Sequence, residues 1–187
     1  MSRSPTARAA FRLPLVVVDR LPPLRAAQVQ PLLDLWTGAW RSGRCGRRAF
    51  QPERLVDVLP WIWIYDRIDG RWFCRLAGEE IRWQNGRDIH RRWLEEFVGA
   101  PAVTDVQAYF DTVADRPGIG YVHGPIWAAH EKPTLGERLC LPLWNQAPMD
   151  GPADGLIGAT VPLPDMPREA MDARRVVIPL EAFFAGD

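Results

Sequence analysis

The stretch from Leu55 to Val98 constrains this chain more than any other. Leu55-Val56-Asp57-Val58-Leu59-Pro60 leads into the aromatic and β-branched run Trp61-Ile62-Trp63-Ile64-Tyr65-Asp66. Such residues favour a pleated, half-buried surface, so a strand is expected there. Ile68-Asp69-Gly70 follows, and Asp-Gly is the turn chemistry of a tight hairpin. Trp72 to Gly78 is the return strand, with Trp72, Cys74 and Leu76 on one face and Arg71, Phe73 and Arg75 on the other. A polar helical piece, the run Asn85-Gly86-Arg87-Asp88-Ile89 and the segment Trp93 to Phe97 complete the stretch. A strand hairpin feeding small helices beneath a sheet suits a sensor-type α+β domain, not a hydrolase or a nucleotide enzyme.

Around this centre the pattern divides the chain into an arm (1–23), a main domain (24–163) and a proline-containing tail (164–187). Leu32, Leu35, Trp36, Ala39 and Trp40 form one apolar stripe at helical spacing, with Pro31 in the first turn. Pro52 to Leu59 reads as a short helix that Pro60 ends. Thr104 and Gln107 fit a capping box for a helix carrying Val106, Tyr109, Phe110 and Val113 on one face. Three strands are expected after it. Tyr121 to Ala129 is broken by Gly124-Pro125, Arg138 to Trp144 places Leu139, Leu141 and Leu143 on one side, and Leu156 to Val161 is the last. The order helix, ββ, short helices, helix, βββ implies an antiparallel sheet with helices grouped on one face. Leu13 to Val18 is a strand or a loosely attached arm, and Val176-Val177-Ile178 adds an edge strand or docks on another chain.

The formal net charge is zero, so no basic field recruits nucleic acid. The basic residues are nearly all Arg, with Lys132 the one lysine; a GC-rich genome explains that, and an Arg-based anion site is the alternative. Cys45, Cys74 and Cys140 are far apart and form no Cys-x-x-Cys, which suits a reducing cytoplasm. No apolar run approaches the ~20 residues of a membrane span. The sequence also lacks Gly-x-Ser-x-Gly, a phosphate loop and Gly-x-Gly-x-x-Gly. Glu79-Glu80 and Glu95-Glu96 are adjacent carboxylates, which point about 100° apart on a helix and make a poor acid–base pair.

Taken together in their order and spacing, several short motifs resemble a PAS domain, and more closely a bacterial PAS-like family first catalogued as a domain of unknown function. They are Leu59-Pro60, Arg75-Leu76 with Gly78, Gly86-Arg87-Asp88 with Trp93-Leu94, and Leu139-Leu141-Pro142-Leu143. The resemblance covers roughly residues 24 to 163. His90-Arg91 and Glu79 depart from the family's pattern. It implies a five-stranded antiparallel sheet with helices on one face and an N-terminal flanking helix. It also implies a sensory or regulatory module that binds a small ligand between sheet and helices or pairs with a signalling protein. On that basis the expected pocket residues are Leu76, Ile81, Trp83, Ile89, Trp93, Tyr109, Phe110, Val113 and Leu141.

The family's known cofactors fit these residues poorly. Its flavin-binding light sensors carry Asn-Cys-Arg-Phe on a helix, whereas Cys74 falls in a strand after Phe73 and reads as a packing residue. Haem needs an axial ligand such as His, and the helix that would carry it holds none; His90, His123 and His130 lie elsewhere. No His or Cys pair has the spacing of a zinc site.

The nine Trp residues are the one compositional excess, and they raise a question of partners. Trp61, Trp63 and Tyr65 alternate with Ile62 and Ile64, so the first strand is apolar on both faces. Its second face is covered by the Trp36/Trp40 helix, by another chain in a homodimer, or by a planar ligand; Trp36, Trp40, Trp61 and Trp63 are the candidate interface residues. The expected function is therefore a non-catalytic cytoplasmic sensor of a small apolar or aromatic ligand, or of a signalling partner. The alternatives are an interaction or dimerisation domain with a filled core and, more remotely, an enzyme on an α+β scaffold.

Overall fold

Asp69 and Gly70 both take positive φ, 51° and 75°, and close a tight turn between Ile68 and Arg71. This left-handed pair matches the twist of the strands it joins. The hairpin forms one edge of the sheet in a computed structural model that describes residues 13–100, 102–127, 134–165, 167 and 174–185. The first twelve residues, the end of the expected strand at Ala128-Ala129, His130 and Lys132 lie outside the described residues.

Among the described residues, seven strands build the sheet: β1 (Leu15–Val17), β2 (Ile62–Ile68), β3 (Arg71–Ala77), β4 (Gly118–Trp127), β5 (Thr134–Leu143), β6 (Gly155–Pro162) and β7 (Arg175–Pro179). Five helices accompany them: α1 (Gln30–Arg41), α2 (Glu79–Asn85), α3 (Leu94–Phe97), α4 (Ala102–Asp115) and α5 (Leu180–Phe184). The sheet order is β1-β7-β4-β5-β6-β2-β3. All neighbours are antiparallel except β1 and β7, which are parallel. The expected five-stranded antiparallel PAS-like sheet is thus overturned: the sheet is seven-stranded and mixed. The reason lies in the flanks. The free edge of β4 takes the valine-rich β7, and β7 in turn takes β1.

Helices cover both faces, which corrects the one-faced arrangement as well. Strand alternation sorts them. Trp63, Gly158, Cys140, Arg138 and Gly120 share one face through their cross-strand pairs. A Cβ on Gly120 would meet Tyr109 and Val113, so α4 lies on this face. Ile64, Ile157, Leu139, Leu141 and Glu137 point to the other. There Glu137 holds the backbone of Arg25 and Ala26, just ahead of α1. Trp36 of α1 is fully buried and donates its indole N–H to the Pro142 carbonyl at 2.8 Å. Trp40 stacks on Trp36 and on Phe184 of α5, at 6.1 and 5.8 Å between ring centroids. The chain's own helix therefore packs on this face of the sheet, over β5.

Smaller departures have local causes. Pro52 to Leu59 forms no helix; Pro52–Arg54 and Leu59–Trp61 are separate 3-10 turns, and Trp61 belongs to the second turn rather than to the strand. Pro60 cannot donate to a helical ladder. α4 starts at Ala102, ahead of Thr104, so the expected capping box does not form, and the Gln107 amide reaches the Gly70 carbonyl instead. β4 runs straight through Gly124-Pro125. Gly124 takes φ 136°, and the pairing with β5 shifts between Pro125 and Trp127. Among the described residues, no helix is long and apolar enough to cross a membrane.

Candidate functional site

A cavity of about 70 Å³ lies between the sheet and the cover formed by α2, α3 and α4. β2 contributes Trp63 and Tyr65, α2 contributes Ile81 and Asn85, and α4 contributes Val106 and Phe110. Ile89, Leu94, Phe97 and Val98 come from the connection between α2 and α4. Phe110 is the central ring, with Trp63, Tyr65 and Trp72 between 5.2 and 5.5 Å from it. This is the packing that the apolar stripe of α4 requires once it meets an aromatic strand.

One end of the cavity is polar. The Arg138 guanidinium donates from Nε to Thr160 Oγ1 at 3.1 Å and from Nη2 to the Ile126 carbonyl at 2.7 Å. The Trp63 indole N–H also donates to Thr160 Oγ1, at 2.9 Å. Thr160 is fully buried. Burial holds the phenols of Tyr65 and Tyr109 well above their ordinary pKa, and the Tyr109 hydroxyl has no hydrogen-bond partner. The buried Gln84 amide has none for either atom. Buried polar groups without partners are rare and costly, so these sites merit a chemical explanation.

The expected pocket residues divide. Ile81, Ile89 and Phe110 line the cavity. Tyr109 and Val113 are buried beside it, against Gly120. Leu76, Trp83, Trp93 and Leu141 do not line it. A bulge pairs Ile64 with Leu76 but Tyr65 with Cys74, which leaves Arg75 as the extra residue and swings Leu76 to the Ile64 face, 38% exposed. Trp83 sits two residues beyond Ile81 on α2 and points to solvent, 75% exposed. Trp93 bridges to Phe73 at the edge of β3, its ring 5.1 Å from that of Phe73 and 4.1 Å from the Arg71 guanidinium. Leu141 is buried on the opposite face, toward α1.

Sequence reading missed Arg138 and Thr160. A signal existed for the first. If Leu139, Leu141 and Leu143 share one side of β5, Arg138 and Cys140 must share the other, which places a guanidinium under the helices.

Of the interface candidates, Trp36 and Trp63 are buried within the chain, and Trp40 and Trp61 are half-buried. All three cysteines are buried, and burial pushes the thiols of Cys45 and Cys74 up to about 12. Among the described residues, no group of His, Cys, Asp and Glu is arranged to hold a metal ion. Compared with family models, curated proteins and solved structures, the chain has no match in any of the three.

Proposed function

We propose that this chain is a non-catalytic sensory or regulatory module of the PAS kind, working in the cytoplasm. It binds a small apolar or aromatic compound between the sheet and the α2–α4 cover. The observation that carries this reading is the cavity itself: an aromatic chamber with a guanidinium and a hydroxyl at one end, beneath helices of only seven and four residues. Helices that short have little stability of their own and depend on packing.

At about 70 Å³ the cavity has room for about two water molecules, whereas occupied ligand pockets start near about 300 Å³. Binding therefore requires α2 and α3 to move outward. A compound that prefers the opened arrangement shifts the population toward it, and a signalling protein reads the moved cover. The buried, protonated thiols support a role without covalent chemistry.

The small cavity also favours a second reading, an interaction module with a filled core and no ligand. One experiment separates them. The purified protein is denatured and any released compound identified by mass spectrometry, and amide exchange across residues 79–98 is then followed with and without that compound. The sensory reading expects a recovered compound that changes exchange in this segment. An empty protein whose 79–98 segment exchanges as slowly as β5 and β6 leaves the filled-core reading standing.

A further inference from the structure

A larger concavity than the sheet–helix cavity lies elsewhere. An open cleft of about 790 Å³ separates the C-terminal half of α1 from the turn at 147–149, and it shares no residue with the sheet–helix cavity. Its size falls within the range of small-molecule sites. Leu35 and Ala39 of α1 and the Trp144 ring form apolar walls, all three buried, and half-buried Met149 adds to them.

Its rim is cationic. Arg44, Arg48 and Arg54 line the cleft and are exposed, and among the described residues none of them is paired with a carboxylate. The single acidic residue lining it, Asp34, accepts the Gln30 amide at 2.7 Å. Three unpaired guanidinium groups around an apolar floor suit an anion held bidentately, with an apolar body below it.

Gly38 adds an independent observation. It sits inside α1, where glycine is the poorest helix former after proline, and a Cβ there would meet nothing within 4 Å. Neither a turn nor close packing requires it. It is exposed and lines the cleft, so a side chain there would project beside the opening.

We propose that this cleft binds an organic phosphate or carboxylate with an apolar body, the anion on Arg44, Arg48 and Arg54 and the body against Ala39, Trp144 and Met149. The site is separate from the sheet–helix cavity, so it stands or falls independently of the sensory reading.

The test uses the full chain, with ¹H–¹⁵N spectra recorded against 1-naphthyl phosphate and decanoate, and against inorganic phosphate and 1-naphthylmethanol as the separated halves. At least one of the two amphiphilic anions should saturate and move the Gly38, Gly43 and Trp144 indole signals, and each half alone should bind at least about tenfold more weakly. Gly38→Leu, which grows into open space, should abolish those shifts while the rest of the spectrum stays folded. Arg48→Gln with Arg54→Gln, both at exposed positions, should weaken binding at least about tenfold. The proposal is overturned if neither anion saturates, if naphthylmethanol binds as tightly as the phosphate, or if the shifts survive both sets of substitutions.

Discussion

The phenol of Tyr121 on β4 donates to the carboxylate of Glu137 on β5 at 2.7 Å, and both side chains are buried. The same carboxylate accepts the backbone N–H groups of Arg25 and Ala26 at 2.9 and 2.8 Å. Glu137 thus clamps the segment entering α1 onto the sheet. Glu137→Gln leaves one acceptor oxygen for three donors and turns an amide toward them. Urea unfolding should show a loss of about 2–3 kcal/mol, with faster amide exchange at Arg25 and Ala26. Unchanged exchange at those two amides would remove the clamp from the account.

Gly120 and Tyr109 make a second coupled pair. A Cβ at Gly120 would overlap the Tyr109 hydroxyl and press on Val113. Gly120→Ala should cost about 1–3 kcal/mol from overpacking. Tyr109→Phe should be neutral or stabilising by itself, because the hydroxyl it removes is buried without a partner. The double variant should recover much of the loss, and denaturant midpoints of all four proteins decide whether the coupling exists.

His123 carries a pH dependence. Burial, and after it the nearby Arg25 charge, lower its folded-state pKa below the ordinary value. The unfolded chain therefore takes up the proton first as pH falls. The contribution of this histidine is present above the unfolded pKa of about 6.5 and is lost as pH drops through the depressed folded value. His123→Asn should flatten the decline in stability between about pH 7.5 and pH 5, read as urea midpoints; a decline of equal size in the variant would refute this assignment.

The thiols of Cys45, Cys74 and Cys140 should be silent in the native protein. Each is buried and each is pushed up by that burial, and the thiolate is the reactive form. A disulfide reagent at mildly alkaline pH should label none of them until denaturant is added. Fast labelling of Cys74 in native buffer would indicate that the cover over β3 opens readily.

Trp36 and Trp83 should behave as opposites. Trp36→Ala removes a fully buried ring and a hydrogen bond to Pro142, and should cost about 3–5 kcal/mol with no change in oligomeric state. Trp83→Gln, at a site 75% exposed, should leave stability within about 0.5 kcal/mol. Sedimentation and thermal melts together test both.

Where one rule acted alone, the sequence was readable. Asp69-Gly70 specifies its turn by backbone conformation, and the α4 stripe of Tyr109, Phe110 and Val113 finds its face by helical period. Reading failed where two segments had to agree. Leu76 alternates correctly with Cys74 on paper, but the bulge at Arg75 exists only because β2 and β3 pair out of step. Leu141 belongs to an apolar row whose face depends on where α1 docks. The strands at Leu15–Val17 and Arg175–Pro179 were legible as candidate strands, but their pairing with each other and with β4 was not, since each needs a partner edge far away in sequence.

The parallel pairing of β1 with β7 sets Leu15 against Arg175 and Val17 against Val177. A ribosome makes the first of these strands long before the second, so β1 has no edge to join until almost the whole sheet is in place. Contacts so distant along the chain are slow to form, because a large loop must close before they return anything. The β1–β7 seam should be the last part of the sheet to zip and the first to open, a latch at the sheet's rim whose release leaves the antiparallel strands standing.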